Sequence, residues 1–180
     1  MRSSRILAPL VALAITLSAG TALADDDDWA EAGKLFHEAR ALMQKPEGLN
    51  KACDLLTKSY ELRQRGDTLL NLAECHRRQG KTATAWREFD EAIKYAEKVE
   101  FKEAIEAAVK LRDELAAKLS AMMVEVESPP EGIEVILDGK PLPSAQWGTP
   151  LFVDPGTHSV SASAEVHEPF EQSAEVGTKG

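Results

Sequence analysis

Two cysteines, Cys53 and Cys75, and four histidines, His37, His76, His158 and His167, are the residues of this 180-residue chain best suited to metal or redox chemistry. The cysteines do not form a closely spaced pair, so the spacing excludes a zinc ribbon and a thioredoxin-type redox motif. No two histidines stand at i, i+4 or across a short loop, the spacings at which a metal is held. Nucleophilic catalysis lacks its frame as well. There is no Gly-x-Ser-x-Gly, and no glycine loop that would cradle a phosphate. Asp and Glu total 30, but they ride on helical faces where charge serves solubility. No catalytic residue, cofactor or metal is expected, and binding is the better expectation.

The elements that would present a binding surface are clearest between Gly66 and Ile93. Leu69, Leu72, Ala73 and His76 recur at helical spacing, Gly80 breaks the pattern, and Ala85, Phe89, Ala92 and Ile93 resume it. Small residues at 73 and 85 let two helices approach closely, with Phe89 filling the space beside them. This segment resembles a tetratricopeptide repeat, in which large apolar, Leu, small, aromatic, Gly, Ala, aromatic and Ala recur in order. Here those places are Leu69, Leu72, Ala73, His76, Gly80, Ala85, Phe89 and Ala92. Upstream, helices are expected from Trp29 to Gln44 and from Leu49 to Arg63, separated by Lys45-Pro46-Glu47-Gly48. A shift of 33 residues lays this pair on the next, with Ala39 on Leu72, Ala52 on Ala85, Leu56 on Phe89 and Ser59 on Ala92. Arg40 falls on Ala73.

The resemblance implies which residues face a ligand. The first helix of each repeat lines a concave groove, which places Leu70, Asn71, Glu74, Arg77 and Arg78 there, with His37 and Ala41 from the preceding unit. An Asn amide can donate to and accept from a peptide backbone, and the arginines can meet a carboxylate. The same stacking brings the helices of Cys53 and Cys75 side by side. An exported, oxidising location would favour their disulfide over two buried thiols.

A further helix is expected from Phe101 to Met122, as a cap on the stack or as a coiled-coil pairing surface. At Met123 the period changes to two. Val124 and Val126 alternate with Glu125 and Glu127, and Ile133, Val135 and Leu137 follow after Pro129-Pro130. Asp138-Gly139 and Asp154-Pro155-Gly156 mark turns, and further strands are expected near Phe152, from Val160 to Ala164 and from Phe170 to Val176. Residues 123–180 read as a small antiparallel β-sandwich. They resemble the PEGA domain through Pro130-Glu131-Gly132-Ile133, Asp138-Gly139, Trp147-Gly148-Thr149-Pro150 and Asp154-Pro155-Gly156-Thr157-His158. Four residues follow Val176 where another strand is expected, so a minimal module and a truncated one both fit. Trp147 is expected to pack within or between the domains, or to anchor a partner.

The first 24 residues carry Arg2 and Arg5, an apolar run from Ile6 to Leu17 and Ala22-Leu23-Ala24, the layout of a signal peptide cleaved after Ala24. That run is too short to span a membrane. Its removal leaves 19 basic against 30 acidic residues, a formal charge of −11. Nucleic acid and anionic membrane surfaces are poor partners for such a chain. Asp25–Asp28 are expected to form a solvated, disordered tail.

The expected organisation is α+β in two domains: a tetratricopeptide-like helical domain over residues 25–122 and the PEGA-like domain over 123–180. The resemblance implies a non-enzymatic protein-interaction or scaffolding role in the periplasm or cell envelope of a Gram-negative bacterium, with a peptide or protein segment as partner. A self-associating homo-oligomeric scaffold and attachment to cell-wall glycan through the β-domain stay open beside it.

Overall fold

The computed structural model describes residues 20–98, 100 and 102–179, so most of the expected leader lies outside the described residues. Among the described residues five α-helices precede six strands, an α+β layout in two parts. The helices are α1 (Gly20–Leu42), α2 (Leu49–Leu62), α3 (Gly66–Arg78), α4 (Thr82–Lys98) and α5 (Lys102–Ala116). Among the described residues no helix is long and apolar enough to cross a membrane.

Two expectations fail at helix ends. Asp25–Asp28 are not a disordered tail but part of α1. The Ala and Leu residues just before them are strong helix formers, and the exposed side chains of Asp26, Asp27 and Asp28 cost no desolvation. The helix expected to reach Met122 stops at Ala116, and Ser120–Met122 is instead a strand. Leu119 and Met122 are three apart, which reads as helical, but Ser120–Met122 pairs with Leu151–Val153, an alternative that local spacing does not register. Val124 is buried as its alternation implies, yet residues 123–133 form no strand.

The helices pack through small residues. Ala39, Ala52, Ala73 and Ala85 are fully buried, as are Leu56 and Phe89 beside them. The 33-residue shift therefore relates burial as well as residue type at three places: Ala52 with Ala85, Leu56 with Phe89, and Ser59 with Ala92. Where it fails, the packing differs: Arg40 is exposed and lies 5.8 Å over the Phe36 ring, whereas Ala73 is enclosed. Ser59 fits its buried place because its hydroxyl donates to the Ala32 carbonyl at 2.8 Å. Gly80, at φ +78°, lets the Gly80 and Lys81 amides turn back onto the Arg77 and His76 carbonyls and end α3. His76, where the repeat pattern has an aromatic, bonds Glu88 on α4 at 2.8 Å.

The strands are β1 (Ser120–Met122), β2 (Glu134–Leu137), β3 (Lys140–Pro141), β4 (Leu151–Val153), β5 (Gly156–Ser163) and β6 (Phe170–Val176). β1 and β4 form one antiparallel pair, and a second antiparallel sheet has the order β3-β2-β5-β6. Asp138-Gly139 makes the β2–β3 turn with φ of +50° and +74°, the left-handed pair that a two-residue hairpin requires. Val124, Val135 and Leu142 are the buried centre of this part. Trp147 packs against them and donates its indole N–H to the Leu142 carbonyl at 3.0 Å, so it is a core residue of the β-part.

Cys53 on α2 and Cys75 on α3 lie at disulfide distance, with Cα atoms 5.6 Å apart and 22 residues of separation. Closing a loop of that length stabilises by about 3 kcal/mol in the chain-entropy model. Cys53→Ala/Cys75→Ala should therefore lower the unfolding free energy of the oxidised protein by about that amount, and dithiothreitol should move the wild-type urea midpoint but not that of the variant.

Candidate functional site

Of the seven residues expected to face a ligand, Ala41 is exposed on α1, and the other six separate into two groups. Four are held by the chain itself. The Asn71 amide donates to the Asp67 carbonyl one turn back at 2.8 Å. Glu74 receives two hydrogen bonds from Arg77, at 2.6 and 2.8 Å. The Arg78 guanidinium donates to the Met43 carbonyl at 2.7 Å, satisfying a backbone group just past α1. The other two, His37 and Leu70, line cavities.

Those two cavities meet around the start of α3. The larger, about 400 Å³, has a floor of Leu70, Ala92, Tyr95, Ala96, Ala104 and Ala108, contributed by α3, α4 and α5. The smaller, about 170 Å³, lies between α1 and α3 and includes Trp29, Phe36, His37 and Thr68. Arg65 and Asp67 line both. Arg65 donates to both Asp67 oxygens, at 2.9 and 2.6 Å, and Asp67 also accepts the Thr68 amide at 2.8 Å. Those hydrogen bonds, the Arg65 one first, hold the Asp67 carboxyl below the usual carboxylate range. Tyr95 closes against Gly66, where a side chain would sit 3.1 Å from the Tyr95 Cβ, and its hydroxyl donates to the Gln64 carbonyl at 2.9 Å.

Alanines make the larger cavity wide and Tyr95 makes it deep, so its chemistry is that of a seat for a bulky apolar side chain. The Arg65–Asp67 pair at the lip offers charged groups to whatever backbone enters beside it. Motif register did not single out Arg65, Asp67 or Tyr95. The available signal was Gly66 at a helix start, flanked by opposite charges.

A second arrangement joins the two parts of the chain. Asp154, in the loop between β4 and β5, accepts the Thr84 amide at 2.9 Å and the Thr84 hydroxyl at 2.6 Å. It thereby caps the N-terminus of α4 from seventy residues away, where a carboxylate is favoured by the unpaired amides and the helix dipole. Arg87 donates to the Phe152 carbonyl at 3.0 Å, and Trp86 meets the Phe152 ring edge-on at 6.1 Å. A cleft of about 550 Å³ opens beside these contacts.

His158 supports this junction from below. It is 8% exposed, with Nδ1 2.6 Å from Asp138 Oδ2 and Nε2 2.7 Å from the Asp154 carbonyl. Both ring nitrogens face acceptors, so the imidazolium is the form that satisfies both. Burial opposes that charge, but the hydrogen bonds to Asp138 and Asp154 outweigh it and raise the His158 pKa. Burial likewise works to raise the Asp138 carboxyl, and the bonds from His158 and the Ser159 amide outweigh it, leaving it lowered. With both nitrogens engaged, His158 has no free lone pair for general-base work. Among the described residues no group of three or more His, Cys, Asp or Glu is placed to hold a metal ion.

Two outcomes follow for the junction. Asp154→Ala should cost about 1–2 kcal/mol, as loss of a helix cap does, and should speed amide exchange at Thr84. The second concerns pH. A raised histidine pKa contributes stability in full below its unfolded value of about 6.5, and that contribution is lost as pH rises through the folded value. The lowered Asp138 contributes above about pH 4 and loses its share as pH falls. Urea midpoints measured from about pH 5.5 to 9 should decline for the wild type and decline less for His158→Gln.

No protein-family model, curated protein or solved structure matches this chain.

Proposed function

We propose that the chain is an exported, non-enzymatic interaction protein of the bacterial envelope. Its helices act as a short tetratricopeptide-like stack, and its strands act as a PEGA-like module fixed to one side. The observation that carries this reading is the pair of cavities that share the Arg65–Asp67 lip. A partner segment crossing the start of α3 would seat an apolar side chain among Leu70, Tyr95 and the alanines, and lay its backbone against the ion pair. The shared burial at positions 33 residues apart supports the repeat reading. The turn glycines at 132, 139 and 156, all at positive φ, support the PEGA reading. The disulfide-distance cysteines support export, since cytosolic thiols are kept reduced.

The role assigned here to the groove differs from motif register in one respect. Asn71, Glu74 and Arg77 are bonded within α3, Arg78 ties α3 to the end of α1, and recognition is left to Leu70, Arg65, Asp67 and Tyr95. Affinity capture from an envelope extract checks this directly. Ala96→Arg should fill the larger cavity and abolish capture of a specific partner with unchanged circular dichroism. Asn71→Ala should keep that partner. Equal capture by wild type and Ala96→Arg would overturn the groove assignment.

A further inference from the structure

We infer that the free edge of β6, with the groove beside it, docks an extended cationic segment of a partner protein, added as a fifth strand to the larger sheet. Among the described residues β6 is the end strand of the order β3-β2-β5-β6, and no strand pairs with its outer row of amides and carbonyls. It is seven residues long, and Phe170 at its start is 51% exposed.

The two faces of that edge ask for different side chains. Phe170, Gln172 and Ala174 alternate onto the inner face, opposite Ala162, Val160 and His158 of β5. There they line a groove of about 390 Å³ with Val126 and the half-exposed Met123. β1 reaches the far end of β6, where the Ser120 hydroxyl donates to the Gly177 carbonyl at 2.7 Å, and the Phe170 end of the strand stays open. Glu171 and Glu175 alternate onto the outer face, and Glu125 and Glu127 stand at the groove itself. An added strand would therefore present apolar residues inward and, every second position, residues beside two carboxylates.

The charge of the part selects the sign of the partner. Residues 123–180 carry ten Asp and Glu against two Lys and no Arg. A second copy is the poorer occupant in the register centred on Ser173, where antiparallel pairing of two β6 strands would set Glu171 of one copy opposite Glu175 of the other, twice. Like charges directly opposite across a ladder are destabilising, and Lys or Arg there are favourable. The surface is separate from the cavities at the start of α3, so its fate does not depend on theirs.

The test uses the whole chain without residues 1–24. A dye-labelled peptide alternating Lys and Val is titrated by fluorescence anisotropy, with an alternating Glu–Val peptide as its counterpart. The Lys–Val peptide should bind saturably and slow amide exchange along residues 170–176, and the Glu–Val peptide should not bind. Glu171→Lys/Glu175→Lys, which changes exposed side chains and also removes the Thr157 hydroxyl's bond to Glu175, should weaken the Lys–Val peptide by about tenfold or more, two attractive cross-strand pairs having become repulsive. Ala96→Arg should leave the affinity unchanged. The assignment is overturned if the Lys–Val peptide does not bind, if both peptides bind alike, if charge reversal has no effect, or if exchange slows elsewhere than at β6. Sedimentation showing that copies associate through β6 would overturn it in favour of self-pairing.

Discussion

The apolar face of helix α4 is enclosed from both sides, and the rest of the structure is arranged around that constraint. Its apolar stripe, Ala85, Phe89 and Ile93, is at most 5% exposed, closed by α3 on one side and α5 on the other. Its N-terminus is capped by a carboxylate from the β-part. Burying one phenylalanine side chain stabilises by about 1.5–3 kcal/mol. That gain is available here only because Ala73 and Ala85 let α3 and α4 approach closely enough to enclose the ring. A larger residue at either position would hold the helices apart and expose it.

A short row of packed helices is short of partners at its ends, since each helix buries its apolar face only against a neighbour. The chain meets that shortage in three ways. α5 covers α4 through Ala108 and Leu115, the cysteines tie α2 to α3, and the β-part holds the start of α4. Arg78, bonded to the Met43 carbonyl, ties α3 to the end of α1 in the same manner. Asn71, Glu74 and Arg77, by contrast, bond within α3 itself.

The junction works through a chain of hydrogen bonds rather than a broad apolar interface. Asp138 orients His158, His158 holds the Asp154 carbonyl, and the Asp154 carboxylate caps α4. Each group is satisfied by the next, which is why a charged histidine tolerates burial in the β-part. The acid-rich strands then extend away from the helices with one edge open.

Much of the helical part was legible in the sequence. The boundaries of α2, α3 and α4 follow from apolar spacing and from the breaker at Gly80, because a helix reports its buried face locally, every three or four residues. The alternation along β2 and β5 and the Asp138-Gly139 turn were legible for the same reason. Ser120–Met122 was not, since its strand character exists only in the pairing with β4, thirty residues on. Of the residues that register named, only His37 and Leu70 line the two cavities at the start of α3. Register named Asn71 and Arg78 without showing that the Asp67 and Met43 carbonyls already held them, and it passed over Arg65, Asp67 and Tyr95. What the sequence by itself determined is the order of helices and strands, the small residues at the helix crossings and the acidity of the β-part. The tertiary structure alone decided which polar groups are spent and which are free, because hydrogen bonds such as Thr84 to Asp154 join residues with no periodic relation along the chain.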